Sequence, residues 1–89
     1  MQAHFFIMGF VQGIGFRYFV KSNARRLKLT GWVKNTDDGR VEALVQGPKE
    51  KIEKLIKLCE KGPFLSQVNS VQVQWEKEVE RFGDFGVAH

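Results

Sequence analysis

Residues 31–46, Gly31-Trp32-Val33-Lys34-Asn35-Thr36-Asp37-Asp38-Gly39-Arg40-Val41-Glu42-Ala43-Leu44-Val45-Gln46, read as two strands folded back about an Asp38-Gly39 turn. Asp-Gly suits a tight hairpin because both central positions take positive φ. Val41, Ala43 and Val45 alternate with Glu42, Leu44 and Gln46, which gives the second strand one apolar face. The flanks make this hairpin decisive, because each side carries an amphipathic helical pattern. Upstream, Phe16, Phe19, Val20, Ala24 and Leu27 fall at helical spacing, with Arg17, Lys21 and Arg25 on a separate stripe. Downstream, Gly47-Pro48 opens a second helix, with proline expected at its first helical position. Ile52, Leu55, Ile56 and Cys59 share one face of that helix, and Gly62-Pro63 ends it. Glu50 with Lys54, and Glu53 with Lys57, stand at i,i+4 in the favourable order.

Outward from these helices lie further strands. His4-Phe5-Phe6-Ile7-Met8 is short and apolar and runs into Gly9. Val71, Val73 and Trp75 alternate near the other end, and Phe82 to Val87 has the apolar content for a short fifth strand. The order β-α-β-β-α-β is the split βαβ pattern. The predicted fold class is therefore α+β: a ferredoxin-like βαββαβ sandwich, one mainly antiparallel sheet with two helices on one face. At 89 residues and 10.2 kDa the chain is expected to form a single domain, 1–89, with a small two-layer core. That size excludes a buried cleft between domains. With 43% hydrophobic and 27% charged residues, the composition is that of a globular chain rather than a disordered one. No apolar run approaches the roughly 20 residues of a membrane span. No signal peptide is visible in Met1-Gln2-Ala3-His4, and Cys59 is the sole cysteine, so a reducing, cytoplasmic setting is expected.

The net charge of +4 is unevenly spread. Residues 1–36 carry Arg17, Lys21, Arg25, Arg26, Lys28 and Lys34 with no acidic residue, whereas residues 37–89 carry all ten acids against eight bases. An acid-free basic segment points to an anionic partner. Within it, Val11-Gln12-Gly13-Ile14-Gly15-Phe16-Arg17 places a glycine-containing loop at a helix start, where backbone N–H groups lack partners and the helix dipole is positive. Gly13 and Gly15 permit the turns from which an anion nest is built, and Arg17 stands at its mouth with a planar fork suited to phosphate. Two glycines without a parallel-sheet repeat disfavour a dinucleotide fingerprint, and the lack of Lys-Ser or Lys-Thr after the loop disfavours a nucleoside-triphosphate loop.

Other catalytic equipment is sparse. His4 sits in an apolar strand and His89 is terminal, so structural roles are expected for both. Cys59 falls on the apolar face of a helix and is expected to be a core thiol. Ser22, Ser66 and Ser70 have no recognisable histidine partner. Asp37, Asp38 and Glu42 are explained by a turn and a strand, so no metal site is expected. On residue type alone Asn35 is equally a turn residue or a functional amide.

Gly9-Phe10-Val11-Gln12-Gly13-Ile14-Gly15-Phe16-Arg17, followed by Gly31-Trp32-Val33-Lys34-Asn35 and Asp38-Gly39-Arg40-Val41-Glu42, resembles the acylphosphatase family. Two independent motifs stand in register, and the element order agrees over nearly the whole chain. The resemblance implies a ferredoxin-like fold and metal-independent, cofactor-free hydrolysis of the carboxyl-phosphate bond of acyl phosphates. It implies Arg17 as the phosphate-binding catalytic arginine and Asn35 as the residue that positions the attacking water. Gln12, Gly13, Ile14, Gly15, Phe16 and Arg17 would form the phosphate-binding loop. The partners implied are a small-molecule acyl phosphate and inorganic phosphate, with a monomer expected and neither nucleic acid nor membrane. Three positions depart from the family's habit: Phe10 where a polar or basic residue is common, Ile14 for valine, and Lys28 where a helix-ending glycine is frequent. The resemblance extends to domains embedded in larger proteins, including a hydrogenase-maturation carbamoyl transferase; without a flanking domain, an independent enzyme is expected. Two other classes fit the basic loop: a phosphate-binding module without turnover, and a nucleic-acid binder using Arg17, Lys21, Arg25 and Arg26.

Overall fold

The computed structural model describes residues 1–88, and His89 lies outside the described residues. Seven elements follow in order: β1 (Gln2–Phe10), α1 (Phe16–Arg26), β2 (Thr30–Asn35), β3 (Val41–Gln46), α2 (Lys49–Lys61), β4 (Gln67–Glu76) and β5 (Phe85–Val87). The sheet order is β4-β1-β3-β2-β5. The first four strands are antiparallel neighbours, and β5 joins the edge parallel to β2. This is the ferredoxin-like arrangement the hairpin and its flanking helices predict.

Register explains the core. Ala3, Phe5 and Ile7 of β1 stand opposite Val45, Ala43 and Val41 of β3, and Val33 of β2 stands opposite Ala43. Because side chains alternate across a sheet, all of these share one face. That face is covered by Phe16, Val20 and Ala24 of α1 and by Ile52, Leu55 and Cys59 of α2, all buried. Burial pushes the Cys59 thiol up to about 12, so it is a packing group and not a nucleophile. The other face carries His4, whose Nε2 lies 2.6 Å from Glu42 Oε2. It also carries Phe6, with the Arg40 guanidinium 4.3 Å above its ring.

Several local expectations are corrected. Pro48 has φ −61° and ψ 135° and is the N-cap of α2 rather than its first residue. Neither Glu50–Lys54 nor Glu53–Lys57 closes into an ion pair among the described residues. Such pairs on an exposed face gain little over solvation. β1 and β4 are longer than their apolar cores, extended by pairing of Phe10 with Gln67 at one end and Gln2 with Glu76 at the other. The last strand begins at Phe85, since the Phe82 N–H donates to the side chain of Gln46 at 3.1 Å instead of joining a ladder.

Lys28 does not alter how α1 ends. It takes φ 61°, the left-handed conformation that glycine adopts after a helix. Its N–H donates to the Arg25 carbonyl at 3.0 Å, and the Leu29 N–H to the Ala24 carbonyl at 2.9 Å. These are the paired bonds of a Schellman ending, made here with lysine in glycine's place.

Candidate active site

At the end of β1, buried Val11 anchors the chain before it turns. Gly13 and Gly15 then take φ 77° and 80°. Gly15 is the N-cap of α1 and supplies no side chain to cap it. The first helical bond runs from the Phe19 N–H to the Gly15 carbonyl at 2.9 Å. The N–H groups of Phe16, Arg17 and Tyr18 therefore have no partner within the helix. The first turn of α1 contains no acidic residue and does contain Arg17. A cation there opposes the helix dipole by about 0.3–1 kcal/mol, an arrangement that an anion at the helix end relieves.

Asn35 reaches the same place from the other side. Val33 is buried under the helices, and Asn35, two residues on, points to that same face at the end of β2. A cleft of about 460 Å³ results, with Gly13, Gly15, Phe16, Arg17 and Asn35 in its wall. The Asn35 Oδ1 is buried and has no hydrogen-bond donor among the described residues. Leaving such an acceptor unmatched costs about 1–3 kcal/mol.

Gln12 and Ile14, expected in the phosphate-binding loop, do not line the cleft. The Gln12 side chain turns toward the β2–β3 hairpin, where its Nε2 donates to the carbonyls of Thr36 and Arg40 at 2.8 Å each. It straps the loop to the turn that follows Asn35. That turn is itself braced. Arg40 Nε donates to both Asp38 oxygens at 3.0 Å, and the Thr36 hydroxyl donates to Asp38 as well. The Arg40 bond first, and the Thr36 bond second, hold the Asp38 carboxyl down to about 2.

The structure also sorts the four cations of α1, Arg17, Lys21, Arg25 and Arg26. Arg25 donates to the Phe85 carbonyl at 2.9 Å and pairs with Asp84 at 3.0 Å, docking β5 onto the helix. Arg26 donates to Asn23 at 3.1 Å. Of these four, Arg17 and Lys21 line the cleft. Lys21, Tyr18 and Val87 are cleft residues that the sequence reading did not place there. For Lys21 the signal was available: it stands at i+4 from Arg17. Val87 had none, because its place depends on β5 pairing beside β2. Phe10 is 60% exposed and outside the cleft wall.

Comparison with known proteins bears on this geometry. The profile of the acylphosphatase family matches residues 3–87. An acylphosphatase of Moorella thermoacetica is 46% identical over 77 residues, covering 86% of this chain and 83% of that protein. An acylphosphatase of Bacillus licheniformis is 42% identical over 89 residues, covering 100% of this chain and 99% of its own length. Among solved structures, the crystal structure of acylphosphatase from Bacillus subtilis superposes with a TM-score of 0.96 at 39% identity, covering 99% of this chain and 98% of that one.

Proposed function

The chain belongs to the acylphosphatase family and hydrolyses acyl phosphates, and from that premise we propose which residues do the work. The loop from Gln12 to Arg17 holds the phosphoryl group. Backbone N–H groups of the loop and of the uncapped helix start face its oxygens, and Arg17 supplies a bidentate, charged contact. Gln12 and Ile14 take part through the backbone, with the Gln12 amide serving the hairpin. Asn35 holds the attacking water through its side-chain amide. The place of Asn35 in the same cleft wall as Gly13, Gly15 and Arg17 is the single observation that carries this assignment.

The chemistry suits so sparse an inventory. Water attacks phosphorus in line, the P–O bond to the acyl group breaks, and the carboxylate leaves with the bonding electrons. A carboxylate has a conjugate acid of pKa about 4, so no general acid is needed to expel it. Charge in the loose transition state spreads over the equatorial and departing oxygens, where N–H groups and Arg17 stabilise it. The water's proton passes to a phosphoryl oxygen. Asn35 orients the water and does not titrate. Metal independence belongs to this reading because the leaving group is already activated; among the described residues no three His, Cys, Asp or Glu side chains gather as a metal site. We place this activity in a single domain, 1–89, acting as a monomer in the cytoplasm.

The test is release of phosphate from acetyl phosphate in excess chelator by wild type and Arg17→Ala. Wild type is expected to keep full activity, and Arg17→Ala to lose about 10²-fold or more while remaining folded. Inhibition by inorganic phosphate should weaken in the variant. Unchanged turnover and inhibition in folded Arg17→Ala would remove the assignment, and loss of wild-type activity to the chelator, restored by a divalent ion, would remove metal independence.

A further inference from the structure

Away from the catalytic cleft, a groove of about 370 Å³ lies between α2 and the end of α1, lined by Arg26, Leu27, Lys54, Lys57, Leu58 and Lys61. It shares no lining residue with the catalytic cleft. Its four cations are all exposed, and no Asp or Glu stands among its lining residues. None of the four closes an ion pair among the described residues. Acids of α2 face another way: Glu53 and Glu60 line a separate depression beside Val73 and Trp75 of β4. Charge on α2 is thus sorted, with acids toward the sheet edge, lysines toward α1, and Lys57 lining both. Lys57 follows Lys54 by three residues and precedes Lys61 by four, so the lysines repel one another along the helix. No ion pair offsets that repulsion, whereas an anionic surface laid across the groove would.

We propose that this groove docks the protein on an anionic phospholipid surface, as a peripheral contact between the α1–α2 face and the headgroup layer. Charge complementarity carries the proposal: four bases without an acid reach the cluster size that phosphatidylserine-rich leaflets attract. The floor of the groove chooses among polyanions. Leu27 and Leu58 are half-buried aliphatic side chains, a surface along which lysine methylenes can lie while their ammonium groups reach headgroups. A nucleic-acid strand calls instead for aromatic rings under its bases, and among the described residues none lines the groove. The single guanidinium, that of Arg26, already donates to Asn23. Lysine ammonium groups are point charges, which suits a mobile headgroup layer better than one fixed set of phosphates.

The test is co-sedimentation of the full chain with vesicles of phosphatidylcholine alone and of phosphatidylserine in phosphatidylcholine. Wild type is expected to bind only the second, and to lose about tenfold or more in partitioning between about 50 and about 500 mM salt. Each base near such a surface raises partitioning by about fivefold, so combining Lys54→Gln, Lys57→Gln and Lys61→Gln should lower it by about 10²-fold. Combining Lys49→Gln, Lys77→Gln and Arg81→Gln removes the same charge outside the groove and should cost less than about fivefold. Circular dichroism checks folding of both variants, and the two wild-type measurements depend on neither. Absence of wild-type binding, binding indifferent to salt, or equal losses in the two triple variants would overturn the proposal. An oligonucleotide that the groove holds more tightly than the vesicles would overturn it in favour of nucleic acid. All of these outcomes leave the reading of the catalytic cleft untouched.

Discussion

Gln12 donates both protons of its amide to the hairpin turn, to the carbonyls of Thr36 and Arg40. Those carbonyls keep backbone partners of their own, from Gly39 and Thr36, so the strap is an addition to a turn already formed. Its consequence is positional: it ties the loop proposed to hold phosphate to the turn beyond the strand end that carries Asn35. Gln12→Leu keeps the bulk and removes the strap. We expect it to cost about 1 kcal/mol in urea unfolding and to lower kcat by about tenfold or more, since small misplacements of reacting groups are costly. A wild-type kcat would show that the turn holds Asn35 unaided. At this scale the motif resemblance singles out Arg17 and Asn35, and both line the cleft. It does not disclose where the Gln12 amide points, because its partners lie 24 and 28 residues away. An amide in a loop has no periodicity to betray its direction.

Among the elements, α1 ends on a residue poorly suited to the task. Lys28 at φ 61° bears the left-handed penalty of an L side chain, roughly 1–2 kcal/mol, which glycine escapes at the cost of a more flexible unfolded chain. Lys28→Gly is accordingly predicted to stabilise the protein by about 0.5–1 kcal/mol in chemical denaturation. A less stable variant would mean that the lysine side chain makes a compensating contact. The hairpin turn gives a second element-scale expectation. Asp38 is held down to about 2 in the folded chain, below its ordinary 3.8. Its ionised form therefore favours folding above about pH 4, and that contribution fades as pH falls toward 2. The stability difference between wild type and Asp38→Asn should shrink across that window, as thermal unfolding at several pH values would reveal. A constant difference would remove the linkage. The helices and the central hairpin were legible from spacing because each buries one face. The extensions of β1 and β4 were not. Residues 67–70, Gln-Val-Asn-Ser, lie in an edge strand with little burial, so pairing rather than alternation sets where that strand begins.

Across the whole molecule, the fold's contribution is to bring distant stretches to one end of the sheet. Residues 12–17 follow β1, Asn35 closes β2, and Val87 sits on the added fifth strand. Two bases of the acid-free segment 1–36, Arg17 and Lys21, thereby line one cleft, while the acids fall in residues 37–89. Such an arrangement draws anions toward the uncapped helix start. In the proposed division of labour within that cleft, Arg17 and the loop bind the phosphoryl group and Asn35 acts on the chemical step. The most direct test is to measure kcat and the phosphate inhibition constant for wild type and Asn35→Ala, with folding checked by circular dichroism. The expected kcat is lower by about 10²-fold or more, with the phosphate inhibition constant within about threefold of wild type. A folded Asn35→Ala with near-wild-type kcat would contradict it and return Asn35 to an ordinary strand-end residue.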